Sequence, residues 1–356
     1  MRILVTGGAG YVGSVSVERL LEAGHDVVVL DDLSTGHGAA VPPGVRLVAG
    51  SYGDEAATAT LLERARVEAI LHCAARSLVG ESIADPARYY RDNVVGGVVL
   101  LEAARRAGVG RFVFSSTAAV YGIPDATPIT EDAPLRPINP YGETKRTVEG
   151  ALRWYAAAYG LRSVSLRYFN VAGASERNGE VHEPETHLIP NVLRAAEGTT
   201  TLAIHGTDYP TPDGTCIRDY IHVADLADAH LLALEATDPD GPRTGGTPAD
   251  PTGGVGDPAS EPGPAPDRPR AGALALNLGT GAGFSVLDVL RAAERVVGRP
   301  IPYTVGPRRA GDPPVLVASS ARAAEVLGWR PRRSNLEEMI GSAWAWRRRH
   351  PAGYTD

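Results

Sequence analysis

The sequence predicts an α/β fold: a doubly wound parallel sheet with helices on both faces, and a smaller α/β region toward the C-terminus. Three observations carry that expectation. The first half alternates short runs rich in β-branched residues with longer amphipathic stretches, as strand–helix–strand units require. The first such run leads directly into a glycine-rich turn and a helical stretch. After Asn170 the alternation loosens into loops punctuated by glycine and proline, with shorter elements between them.

In chain order, the strands are expected at Arg2–Thr6, Asp26–Leu30, Arg46–Val48, Ala69–His72, Arg111–Ser115 and Ser163–Tyr168. Helices fill most of the gaps, among them Val12–Ala23, Ala84–Ala107 and Tyr141–Tyr159. Residues 1–170 are read as a dinucleotide-binding domain to which 221–236 and 273–278 return. Residues 171–220 and 279–356 form the smaller substrate-binding region. Between them, 237–272 is crowded with proline and glycine, lacks aromatics and repeats nothing apolar at either period. Such a composition buries too little surface to offset the entropy of ordering, so this stretch is read as a disordered insertion.

The chain has 356 residues, of which 43% are hydrophobic, enough for a substantial core. Its net charge of −7 and the lack of a long basic run argue against a nucleic-acid partner. Two cysteines, Cys73 and Cys216, stand far apart, and no cysteine or histidine cluster has the spacing of a zinc site, so no metal is expected. No apolar run reaches membrane-spanning length, and the N-terminus enters a strand without a charged and apolar leader. A cytoplasmic location follows as the expectation.

Gly8, Gly10 and Gly13 match the G-x-G-x-x-G spacing of a dinucleotide turn, and Gly7, Gly10 and Gly13 the wider form. Glycine serves there to turn tightly, to admit the pyrophosphate to the backbone and to let helix and strand pack closely. The following helix offers free N–H groups and its positive dipole end to phosphates. The next strand ends in Asp31-Asp32, where a carboxylate accepts hydrogen bonds from a ribose 2′-hydroxyl and repels a 2′-phosphate. NAD is therefore favoured over NADP.

Downstream, Tyr141 and Lys145 lie four positions apart and share a helical face, where an ammonium can make a phenol a usable base. Ser115, Ser116 and Thr117 place hydroxyls at the carboxyl end of a strand, where parallel sheets bind ligands. Together with the glycine-rich turn, these residues resemble the extended short-chain dehydrogenase/reductase family, whose fold is of the Rossmann type. Within it, the chain is similar to the UDP-galactose (UDP-glucose) 4-epimerases over almost its whole length. The resembling segments include 4–14, 79–82, 115–122, 139–145, 166–170, 208–215, 218–227, 277–279 and 307–312.

The resemblance implies reversible oxidation at sugar carbon 4 with bound NAD, so that the sugar passes through a 4-keto form and receives the hydride back on its other face. It assigns Tyr141, Lys145 and Thr117 to catalysis. To the cofactor it assigns Gly7, Gly10, Tyr11, Val12, Gly13, Asp31, Asp32, Ser51, Tyr52, Asn93, Ser115 and Tyr168, besides Tyr141 and Lys145. To a UDP-sugar it assigns Thr117, Asn170, His187, Leu188, His205, Arg218, Arg309 and Asp312. It also implies a homodimer through Ala84–Ala107 and Tyr141–Tyr159.

Departures from the family pattern are Ser51-Tyr52 beside the adenine, Ser77 in place of a common lysine, His187 and His205 at substrate positions, and Leu316 near the sugar 2-substituent. A salt bridge to Asp219 competes for Arg218. A sugar-nucleotide dehydratase would need an acid and a base beside the threonine, and Ala118-Ala119 supply neither. The remaining alternatives are a 4-epimerase of another UDP-sugar, such as a UDP-N-acetylhexosamine, UDP-glucuronate or a UDP-pentose, and a non-catalytic nucleotide-sugar sensor.

Overall fold

In the computed structural model, residues 1–239, 272–309 and 312–355 are described. The expected insertion lies largely outside them, at 240–271. The described residues form a parallel seven-stranded sheet from β1 (Arg2–Thr6), β2 (Asp26–Asp31), β3 (Arg46–Ala49), β4 (Ala69–His72), β5 (Arg111–Thr117), β6 (Arg162–Tyr168) and β7 (Ala273–Leu278). Their order is β7-β6-β5-β4-β1-β2-β3. The order reverses between β4 and β1, the switch point at which such sheets open a crevice beyond their strand ends.

The strands are apolar on both faces because both are covered. One core joins Val5, Val29, Leu71 and Val113 to the helices Tyr11–Glu22 and Val223–Ala236. The opposite core joins Leu4, Ile70, Phe112 and Phe114 to the helices Glu55–Arg64, Gly96–Arg106 and Pro140–Tyr159. A separate core around Val192, Ile204, Tyr220, Val289 and Met339 sits in the smaller region. There the strand Ile217–His222 pairs with Asn170–Ala172, Gly283–Ser285 and Val315–Leu316, and Leu202–His205 pairs with Tyr303–Gly306.

Strand positions follow the sequence closely, with ends shifted by a residue or two. The helix expected over Ala84–Ala107 differs more. Val79–Ala84 is a separate short helix, and Asp85 caps a new one whose first residue is Pro86, its carboxylate accepting from Arg88 N. That helix widens to a π-turn over Tyr90–Val95 before continuing as Gly96–Arg106. Such π-turns recur at functional sites, and this one carries Asn93.

A buried ion pair fastens the long helix Pro140–Tyr159 to the sheet. Glu149 Oε2 lies 2.5 Å from Arg167 Nη2 of β6, with both side chains 4% exposed. Ser116 Oγ donates to Glu149 Oε1 at 2.5 Å, and Arg167 Nη1 donates to the Tyr121 hydroxyl at 2.9 Å. The chain end of β5 and the face of the helix bearing Tyr141 and Lys145 are thereby held in register. No helix among the described residues is long and apolar enough to cross a membrane.

Candidate active site

A cavity of about 1620 Å³ runs from the glycine-rich turn, past the carboxyl ends of the sheet strands, to the smaller region. Pockets for a single small ligand measure roughly 300–1,000 Å³, so this space suits two ligands side by side. Its floor is the turn after β1. Gly7 takes φ +72°, and a Cβ there would stand 2.5 Å from Ala74 N; one on Gly13 would meet Gly7 O at 2.0 Å. Both positions therefore exclude any side chain, the first for its turn and the second for the close approach of helix to strand.

Asp31 Oδ2 accepts from Ala9 N and Oδ1 from Leu33 N, each at 2.9 Å. This carboxylate thus shapes the turn as well as lining the cavity, and burial pushes its pKa up against those two bonds. Asp32 is exposed and accepts from Ser34 N and Oγ. Ser51 and Tyr52 line the cavity; the Tyr52 ring stands against Gly96 and its hydroxyl donates to Asp92 O at 2.7 Å. Asp54, two residues on, caps a helix through Ala57 N.

The reactive corner is built by three elements. Asn139 caps the helix by accepting from Gly142 N at 2.9 Å, with Pro140 in its first turn, and this fixes where Tyr141 and Lys145 project. Thr117 ends β5, and its hydroxyl accepts from Ala119 N. The Thr117 hydroxyl stands beside the Tyr141 phenol. Burial pushes that phenol up, and Thr117 works in the opposite sense.

Lys145 is 3% exposed and donates from Nζ to Ser115 O at 2.8 Å, 4.7 Å above the Phe114 ring. Burial lowers its pKa to about 8, against the upward pull of Cys73 and Glu149. One of the ammonium's N–H groups is taken by the β5 carbonyl. Tyr168 lines the same corner, its hydroxyl also pushed up by burial.

Two residues expected at the cofactor do not line the cavity. Asn93 is buried behind it: Oδ1 accepts from Arg76 N at 2.8 Å, while Nδ2 donates to Arg76 O and to Thr144 Oγ1. It ties the loop after β4 to the catalytic helix. The Ser115 hydroxyl faces Cys73 Sγ and His230 Nε2, and its carbonyl is the atom that meets Lys145.

On the far side, Asn170, His187, Leu188, His205, Arg218, Arg309, Asp312 and Leu316 all line the cavity. Arg218 pairs with Asp312, not with Asp219. Asp219 is instead buried, accepting from Thr280, Gly281 and Ala318 backbone N–H groups. Arg308 turns to Asp208 at 2.6 Å and lies 4.4 Å over the Tyr209 ring. Arg309 stays exposed with no ion-pair partner among the described residues, a free guanidinium at the cavity wall.

Sequence reasoning missed the partners of His187. Its Nδ1 lies 2.8 Å from Glu185 Oε1 and 3.0 Å from Glu180 Oε1. Burial alone would push this imidazole down, but the two carboxylates raise it to about 10. Glu180, which burial would push up, is held at about 2 by His187 and His182. The available signal was the run Glu-x-His-x-x-Glu-x-His over 180–187.

Comparison with known proteins places this geometry. The NAD dependent epimerase/dehydratase family model matches residues 3–244. The chain is 46% identical to the UDP-glucose 4-epimerase of Lacticaseibacillus casei over 100% of its own length and 99% of that protein. It superposes on the Brucella ovis UDP-glucose 4-epimerase solved with NAD at TM-score 0.86, with 44% identity and 97% of each chain covered. The Bifidobacterium longum enzyme solved with NAD+ and UDP gives TM-score 0.86 at 34% identity, covering 99% of this chain and 100% of that one. The chain belongs to the NAD dependent epimerase/dehydratase family, and within it its likeness is to the UDP-glucose 4-epimerases.

Proposed function

We propose that the chain interconverts UDP-galactose and UDP-glucose by transient oxidation at sugar carbon 4. One observation carries the reading: a single cavity joins a dinucleotide turn to a free guanidinium wall, with the Tyr141–Thr117 pair between them. The glycine positions, the Asp31 carboxylate and the size of the cavity fit NAD as the resident cofactor. Bound NAD supplies the hydride acceptor and donor, and its positive ring favours the phenolate.

The chain's own residues do the rest. Tyr141 takes the proton from the 4-hydroxyl and returns it, while Thr117 holds the reacting oxygen through a neutral donor–acceptor contact. Lys145, anchored to Ser115 O, offers its other N–H groups to the cofactor ribose. Gly7, Gly10, Tyr11, Val12, Gly13, Asp32, Ser51, Tyr52 and Tyr168 border the cofactor, and Asn93 and Ser115 act from behind it. Arg309 and Arg218 grip the diphosphate with planar forks. Asp312, held by Arg218, receives the uridine ribose, and Asn170, His187, Leu188 and His205 border the sugar and base.

We further propose a cytoplasmic homodimer. Supporting it, Val95 and Trp154 stand 57% and 77% exposed on neighbouring helices, with Tyr90, Val98 and Tyr159 beside them. Such apolar surface is rarely left to solvent. Sedimentation should give a dimer, and a monomer would contradict this assembly.

The substrate is tested by incubating purified protein with a panel of UDP-sugars. Conversion of UDP-galactose without added oxidant is the expected result. Turnover of UDP-xylose or UDP-glucuronate but not UDP-galactose would reject it.

A further inference from the structure

Residues 180–187 precede the helix Leu188–Ala196 and bring four side chains together. One ligand atom each from Glu180, His182, Glu185 and His187 lies within 4.8 Å of the others. His187 Nδ1 is 2.8 Å from Glu185 Oε1 and 3.0 Å from Glu180 Oε1, and His182 Nδ1 is 3.3 Å from that same Glu180 oxygen. Donors on a tetrahedral ion with bonds of about 2.0–2.2 Å sit roughly 3.3–3.6 Å apart. The group thus needs only small adjustments to close around an ion.

Hydrogen bonding within the cluster leaves it incomplete. Two imidazoles crowd one carboxylate oxygen, and the buried His182 Nδ1 reaches it at 3.3 Å without good hydrogen-bond geometry. The Glu185 side chain is only 1% exposed. Once an ion displaces the imidazole protons, the two carboxylates leave a charge that one divalent ion cancels, and the poorly bonded His182 nitrogen gains a full bond to it.

We propose that Glu180, His182, Glu185 and His187 form a binding site for one divalent transition-metal ion of the Zn²⁺ class. The two nitrogens distinguish it from Mg²⁺ or Ca²⁺, which take oxygen ligands in larger number. The ion acts as a clip on the loop that enters the helix Leu188–Ala196. It also fixes the His187 tautomer, since an ion on Nδ1 leaves Nε2–H as the donor at the cavity wall. The site stands whichever UDP-sugar is turned over.

The test is elemental analysis of the full chain made without a histidine tag, joined to Zn²⁺ titration against a chromophoric chelator. About one Zn²⁺ per chain is expected. His182→Ala and Glu185→Gln should each weaken Zn²⁺ binding about tenfold or more. A chain that neither retains nor binds Zn²⁺ at micromolar concentration, or both variants binding as the parent does, would overturn the site. Should a variant fail to fold, Co²⁺ loading of the parent decides. Intense visible bands of a tetrahedral ion support the site, and weak octahedral bands or none refute it.

Discussion

Replacing Lys145 by methionine should make the cofactor-free protein more stable near neutral pH relative to its stability in alkali, while abolishing turnover. Burial lowers the lysine from 10.5 to about 8, which corresponds to roughly 3 kcal/mol at 1.36 kcal/mol per unit. Below pH 8 the group is charged in both folded and unfolded chains, and the folded state bears the whole penalty. Between 8 and 10.5 the unfolded chain binds more protons, so parental stability rises with pH. Above 10.5 the penalty is gone.

Methionine removes that penalty at every pH but leaves Ser115 O without its donor, at about 1–3 kcal/mol. That loss does not depend on pH. The difference between variant and parent should therefore swing by about 3 kcal/mol from neutral to strongly alkaline pH, or roughly 4 °C in Tm for a chain of this size. Thermal melts of both proteins across that range measure it. A difference that stays constant with pH would refute the claim that the lysine is held charged at a folding cost for the sake of the site.

Glu149→Ala should leave Arg167 buried without its counter-charge and lower stability by about 3–5 kcal/mol. The double variant Glu149→Leu with Arg167→Met should melt above Glu149→Ala, and a lower melting point would contradict the ion-pair account. Arg309→Ala removes a charge-assisted grip worth about 1.5–3 kcal/mol, so KM for the UDP-sugar should rise about tenfold to a hundredfold with little change in kcat. An unchanged KM would place the diphosphate elsewhere.

Much of the fold was legible because its strands are short apolar runs bounded by glycine, aspartate and proline, as at Ala69–His72, which the structure reproduces to the residue. The break within Ala84–Ala107 was less so. Asp85-Pro86 is a cap-and-start signal, but the π-turn over Tyr90–Val95 leaves no mark in a 3.6-residue period. The glycine turn and the Tyr141–Lys145 pair stood out by residue type and spacing, whereas Thr117, Arg218 and Arg309 took their expected roles from the family resemblance.

Contacts made behind the cavity were not readable. Asn93 faces the Arg76 backbone, and Lys145 meets a main-chain carbonyl that no side-chain pattern reveals. The cluster at 180–187 was passed over because mixed carboxylates and imidazoles lack the cysteine and histidine spacings of familiar metal sites.

The Tyr141 phenol is the group proposed to move the 4-hydroxyl proton. Tyr141→Phe protein should be assayed for bound NAD, by its absorbance after release, and for conversion of UDP-galactose in the same preparation. The expected result is a full complement of NAD with turnover reduced by about 10²–10⁴-fold. Turnover within a few-fold of the parent, with NAD bound, would contradict the assignment.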